Sequence, residues 1–148
     1  MKKIVMLLVM TALFCSACRY EEGPGISFVE PGERIIANWM VDRVYKNGEL
    51  VTESDRIANR PGNFYSIYYQ RILQVNTFYN GDIRYSNYGD WGFEDNYKKL
   101  VMDFKIVNQR YYYVARIKRL TQHELYYEYD DEYGNHWRME LICNSRRN

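Results

Sequence analysis

The last third of the chain alternates with a period of two. In "LVMDFKIV", Leu100, Met102, Phe104 and Ile106 fall on one side, with Asp103 and Lys105 on the other. In "HELYYEYD", Leu125, Tyr127 and Tyr129 oppose Glu124, Glu128 and Asp130. In "HWRMELIC", Trp137, Met139, Leu141 and Cys143 oppose Arg138 and Glu140. Successive side chains of a strand project to opposite faces, so this spacing calls for antiparallel strands with one face buried and one wet. "RYYYVARIKR" is a further strand, with tyrosine on both faces.

Upstream, "ANWMVDRVYKNGE" reads as a strand ending at Asn47-Gly48, a dipeptide suited to a tight hairpin turn. Residues 52–63 form a polar loop with Pro61-Gly62. "FYSIYYQ" and "ILQVNTFY" follow as strands, and Asn80-Gly81 turns the chain into "DIRYSNY". "GDWGFED" is either another strand or a bulged corner. The 16 Tyr, 6 Phe and 3 Trp suit pleated, half-wet surfaces. The pattern contains no crossover helix. Eight or nine short strands in one 148-residue chain form either two packed sheets or a closed up-and-down barrel, which removes exposed edges.

The N-terminus follows a different logic. Lys2 and Lys3 precede an apolar run from Ile4 to Phe14, too short for the roughly 20 residues a membrane-spanning helix needs. Positive start, short apolar run and small residues are the three parts of a secretory signal peptide. Cys15-Ser16-Ala17-Cys18 then resembles a bacterial lipobox, with Cys15 where the family usually has an aliphatic residue. That resemblance implies removal of residues 1–17 and acylation of Cys18. The Cys15/Cys18 pair is then absent from the mature chain, and Cys143 is its one free thiol. Losing Lys2 and Lys3 takes the 20 basic residues to 18 against 19 acidic, a formal −1. A near-neutral chain has no basic excess for nucleic acid. Residues 18–34 read as a tether, broken by Gly23-Pro24-Gly25 and Pro31-Gly32, and 35–148 as the one folded domain. Glu21-Glu22, just after the anchor, resembles the short acidic signal that sends some bacterial lipoproteins to the outer face of the cell.

The folded part resembles the lipocalin-like domains of small bacterial lipoproteins. Trp39 near the first strand, Asn80-Gly81-Asp82 at a central turn, Gly89, Trp91 and Phe93 carry the likeness. So does "ARIKRLTQHELYYEY", with Ile117, Leu120, Thr121 and Leu125 in an I-x-x-L-T-x-x-x-L pattern. Ala37-Asn38-Trp39 stands where lipocalins have G-x-W. The family pairs that Trp with an arginine near the last strand, here Arg138 or Arg146. The resemblance implies an all-β, antiparallel, eight-stranded up-and-down barrel, with no cofactor and no catalytic set.

Direct searches for chemistry agree with that expectation. His123 and His136 lack the neighbouring ligands of a zinc site and sit beside turn residues. "DDEYGN", residues 130–135, lacks the acid spacing of a calcium loop and reads as a charged hairpin turn. Asp90, Glu94 and Asp95 surround Trp91 and Phe93 as turn acids, and no serine lies in a nucleophile elbow. Aromatic rings can line an apolar cavity or stack on sugars, which makes Tyr65, Tyr68, Tyr69, Tyr85, Tyr112 and Tyr127 the candidate binding residues. The expectation is a non-enzymatic protein of the bacterial envelope, anchored through Cys18 to the outer membrane and placed at the cell surface. Its barrel binds a small apolar or amphipathic ligand, or else has a filled interior and a tyrosine-rich outer face for a protein or glycan.

Overall fold

The computed structural model describes residues 20–23, 28–79 and 82–146. The signal-peptide stretch 1–17, the lipidation candidate Cys18 and the turn residue Gly81 lie outside the described residues. A helical turn, α1 (Pro31–Arg34), leads into β1 (Ala37–Lys46), β2 (Glu49–Leu50), β3 (Phe64–Ile67), β4 (Ile72–Tyr79) and β5 (Asp82–Glu94). β6 (Lys99–Ile106), β7 (Gln109–Leu120), β8 (Glu124–Asp130) and β9 (His136–Arg146) complete the chain. "GDWGFED" is therefore the second half of a strand, continuous with "DIRYSNY".

β1 and β3 to β9 pair antiparallel with their neighbours in turn, and β9 pairs back onto β1. The result is the expected closed eight-stranded up-and-down barrel, with the two-residue β2 as an extra strand against β1. Asn47 (φ 53°) and Gly48 (φ 86°) form the turn between β1 and β2, in the left-handed backbone region that Asn and Gly tolerate best.

Alternation puts Trp39, Tyr65, Leu73, Met102, Phe104, Tyr113, Tyr127, Trp137 and Met139 in the interior, all buried. Two bulges keep that pattern in step. One between Val41 and Arg43 leaves Asp42 and Arg43 both outside while Val41 and Val44 stay buried. Another, at Lys118, lets Ile117 and Leu120 face inward only three residues apart. Thr121 then turns the chain, its Oγ1 accepting from the backbone N–H groups of His123 (3.0 Å) and Glu124 (2.9 Å), and Leu120 pairs with Leu125. Those contacts are the physical content of the I-x-x-L-T-x-x-x-L pattern.

Both barrel ends are covered. At one end α1 sits below β1. The buried Arg34 guanidinium donates to the Leu120 carbonyl, and Trp39 Nε1 donates to the Ile35 carbonyl at 2.8 Å. At the other end residues 52–63 fold inward, where the sequence suggested only a polar loop. Ser54, Arg56, Ala58, Asn59 and Asn63 are all buried. The Tyr129 hydroxyl and the Asn59 amide exchange hydrogen bonds of 2.7 and 2.9 Å, and Tyr65 donates to the Ala58 carbonyl at 3.0 Å. A polar loop can enter a barrel mouth only because its polar groups find such partners there.

The described parts of the expected tether also differ from a free linker. Tyr20 is 5% exposed, and Pro31–Arg34 is helical despite Pro31-Gly32, with Pro31 and Arg34 buried. Proline is well suited to a first helical turn, where its missing N–H costs nothing.

Candidate functional site

The six candidate tyrosines do not converge on one site. Tyr65 and Tyr127 are fully buried inside the barrel. Tyr85 is half-buried on β5, opposite Thr77. Tyr68 accepts the Trp91 indole N–H on its carbonyl (2.8 Å) and donates its hydroxyl to Gln74 Oε1 (2.9 Å). Tyr69 and Tyr112 stand on the outer surface, 60% and 59% exposed.

Two interior tyrosines were not singled out by sequence, Tyr111 and Tyr113; a third, Tyr129, was placed on the inward face but not among the binding candidates. Tyr113 stacks on Tyr129 with ring centres 4.2 Å apart, and Tyr111 stacks on Phe104 at 5.2 Å. Tyr65 meets Phe104 edge-on at 5.9 Å. With Tyr127, whose ring stacks on Tyr113, these rings pack together inside the barrel. Burial pushes the Tyr65, Tyr113 and Tyr127 phenols well above their ordinary range. The signal that could have found them is parity: Tyr111 and Tyr113 share the face of Ala115 and Ile117, whereas Tyr112 does not.

Polar groups break the apolar lining. Among the described residues the buried Tyr127 hydroxyl has no hydrogen-bond partner, and neither have Thr77 Oγ1 and Asn87 Nδ2. Thr77 and Asn87 sit on the paired strands β4 and β5, where Val75 faces Asn87 and Thr77 faces Tyr85.

The outer wall formed by β4 to β7 carries two exposed tyrosines, Tyr88 and Tyr112. Tyr88, 68% exposed, lies opposite Gln74, and Gln74 Nε2 donates to Ser86 Oγ at 3.0 Å. Ile72 faces Asp90, Asp90 faces Asp103, and Asp103 faces Tyr112, one row across four strands. Like charges directly opposite each other are unfavourable, and Arg110 relieves this pair by clasping Asp103 with two nitrogens. That bond holds the Asp103 carboxyl below the usual range, while the Arg110 guanidinium also lies 5.8 Å over the Tyr112 ring. A groove of about 520 Å³ runs beside the row, lined by Gln70, Arg71, Asp90, Trp91, Glu94, Val101, Asp103 and Tyr112. Wall and groove together offer two aromatic plates set among fixed carboxylate, amide and guanidinium groups.

The other family-motif residues are structural. Trp91 is nearly buried and meets Phe93 edge-on at 5.5 Å. The Arg146 guanidinium, rather than that of Arg138, lies over the Trp39 ring, 5.9 Å from its centre. Arg138 instead binds Glu22 through two nitrogens at 2.7 and 2.8 Å, and also Glu140 at 2.8 Å. His123 and His136 are exposed, and His136 Nδ1 is 2.8 Å from Asp130. The turn acid Asp131 accepts hydrogen bonds from Trp137 Nε1 (2.8 Å) and from the Tyr133 and Asn135 backbone N–H groups (2.9 Å each). Among the described residues no cluster of three or more His, Cys, Asp or Glu is arranged to hold a metal ion.

In comparisons with known proteins, no family model and no curated protein matches this chain.

Proposed function

We propose that the chain is a lipid-anchored, non-catalytic module of the bacterial cell envelope that binds a glycan on the outer wall of a filled barrel. The stacked aromatic interior carries this reading. The stacked Tyr113/Tyr129 and Phe104/Tyr111 pairs, with Trp39 and Trp137, occupy the space where a lipocalin-like carrier would hold its ligand. Recognition then falls to the outside, where Tyr88 and Tyr112 present aromatic faces beside Gln74, Asp90 and Asp103. Sugar C–H faces stack on such rings, and sugar hydroxyls suit the fixed acceptors and donors around them. Acylation of Cys18 supplies the anchor, because two or three acyl chains hold a protein stably where one is marginal.

The test is calorimetric titration of the acylated protein with polysaccharide purified from its own envelope. Binding that is lost in a Tyr88→Ala, Tyr112→Ala double variant of unchanged circular dichroism supports the reading. Equal binding by the double variant sinks it.

A carrier reading is the second, favoured by the unpartnered Thr77 and Asn87 groups inside the barrel. Native mass spectrometry separates the two. A reproducible bound mass that is released on unfolding and extracts into organic solvent favours the carrier.

A further inference from the structure

The chain just past the anchor is bound to the barrel at Tyr20, Glu21 and Glu22. Tyr20 is buried; its hydroxyl donates to the Tyr97 carbonyl at 3.1 Å, and the Arg34 guanidinium lies 5.8 Å over its ring. The bulge at Lys118 frees that residue's carbonyl from the β7–β8 ladder, and the Glu22 backbone N–H takes it at 2.8 Å. The Glu22 carboxylate is clasped by Arg138, its carbonyl accepts from Arg119, and Glu21 pairs with Lys118. Gly23 closes the segment, its N–H donating back to the Tyr20 carbonyl at 3.3 Å.

Cys18 is two residues from Tyr20, and two extended residues reach at most about 7 Å. An acylated Cys18 therefore holds this end of the barrel at headgroup level and sets its orientation. The end bearing the turn between β5 and β6 faces the bilayer, and the 52–63 plug with the turn between β8 and β9 faces away. Beside Tyr20 opens a groove of about 580 Å³ lined by Tyr20, Glu21, Asp95, Lys98, Lys99, Arg116 and Ile117. Its three cations outnumber its two carboxylates. Lys99 lies 3.8 Å from Asp95 and Arg116 3.9 Å from Glu21, both loose pairs, and Lys98 is exposed with no carboxylate in ion-pair range among the described residues.

We propose that this groove is a membrane-docking surface. Lys98, Lys99 and Arg116 engage the phosphates of anionic lipid headgroups, so the barrel lies against the bilayer that holds its anchor and does not swing on a stalk. This rests on the anchor reading of Cys18. Charge complementarity and the two-residue reach from the anchor to the groove select the occupant. Each basic residue near an anionic surface contributes about a fivefold preference, which salt removes as the screening length shrinks.

The experiment uses the full acylated chain in a Cys143→Ala background, reconstituted in vesicles. One set of vesicles is phosphatidylcholine alone; the other adds phosphatidylglycerol. Glu94→Cys reports beside the groove and Tyr133→Cys at the far end, each read by its labelling rate with a membrane-impermeant maleimide. The expected result is labelling at position 94 slowed at least about fivefold in anionic vesicles only. High salt, or a Lys98→Gln, Lys99→Gln double substitution, restores the rate, and position 133 is unaffected throughout. Equal rates at position 94 in both vesicle types overturn headgroup binding while leaving the anchor intact. A mature chain whose mass lacks the diacylglyceryl group on Cys18 overturns the anchor reading itself, and the docking with it.

Discussion

Arg146, on the last strand, lies with its guanidinium 5.9 Å from the centre of the Trp39 ring on the first. The same guanidinium donates to the Arg34 carbonyl at 2.9 Å, so one side chain ties β9, β1 and α1 together at the seam where the barrel closes. Trp39 is fully buried and Arg146 exposed, an arrangement in which the cation caps the ring and shields it from water. Trp39→Ala is expected to cost about 3–5 kcal/mol, and Arg146→Ala about 1 kcal/mol. The double variant should fall short of the sum by about 0.5–1 kcal/mol, because each single change already removes the shared contact. Urea unfolding of the four proteins measures this, and strict additivity would show that the ring and the cation are uncoupled.

Acid should weaken the plugged end first. Burial opposes the charge on Asp131, but hydrogen bonds from Trp137, from the Asn135 side chain and from the Asn135 and Tyr133 backbone outweigh it and hold the carboxyl at about 2. A folded pKa below the unfolded value of about 3.9 means stability that is present above pH 4 and is lost as pH falls through 2. The side chain is 1% exposed, so the full linkage applies and amounts to about 2 kcal/mol. Asp131→Asn should be less stable at neutral pH by about 1–2 kcal/mol and should lose this part of the acid dependence. Thermal unfolding between pH 2 and 5 reads both effects.

Base should act through the aromatic core. Tyr65, Tyr113 and Tyr127 have phenols raised by burial, so the folded protein keeps them neutral where the unfolded chain ionises near pH 10. Their contribution is therefore complete below about pH 10 and is lost as pH rises toward the folded values. An ultraviolet titration should show Tyr65, Tyr113 and Tyr127 ionising only as the fold is lost. Ionisation of these three phenols with the fold intact would contradict their burial.

Gly89 marks a close approach of two strands. A Cβ there would stand 2.3 Å from the Asp103 carbonyl oxygen and 2.5 Å from Phe104 Cβ, inside the hard limit of both. Because one obstacle is backbone, β5 must shift away from β6 to make room. Gly89→Ala is expected to destabilise by about 1–3 kcal/mol, while Gly32→Ala, where a Cβ meets nothing, should change stability by under about 0.5 kcal/mol. Paired denaturant curves test the contrast.

Most strands were legible because alternation is a local signal. Leu100 to Ile106 and Trp137 to Cys143 declare their buried face within eight residues, and Asn47-Gly48 places its turn from two side chains. The outer wall was less legible: Tyr112 was a candidate, but Tyr88 was not distinguished from other strand tyrosines. Its neighbour Gln74 comes from another strand, and only pairing brings it beside Tyr88.

By itself, then, the sequence determined an all-β chain of antiparallel hairpins, with an inner and an outer face written into each strand. Tertiary structure decided where those faces lead. It selected Arg146 over Arg138 as the partner of Trp39, turned the 52–63 loop into a plug through Asn59 and Tyr129, and bound Tyr20 and Glu22 to the barrel. These contacts join residues 70 to 116 positions apart. A period of two carries information only between neighbours on one strand, whereas such distant pairs form only once β9 closes onto β1.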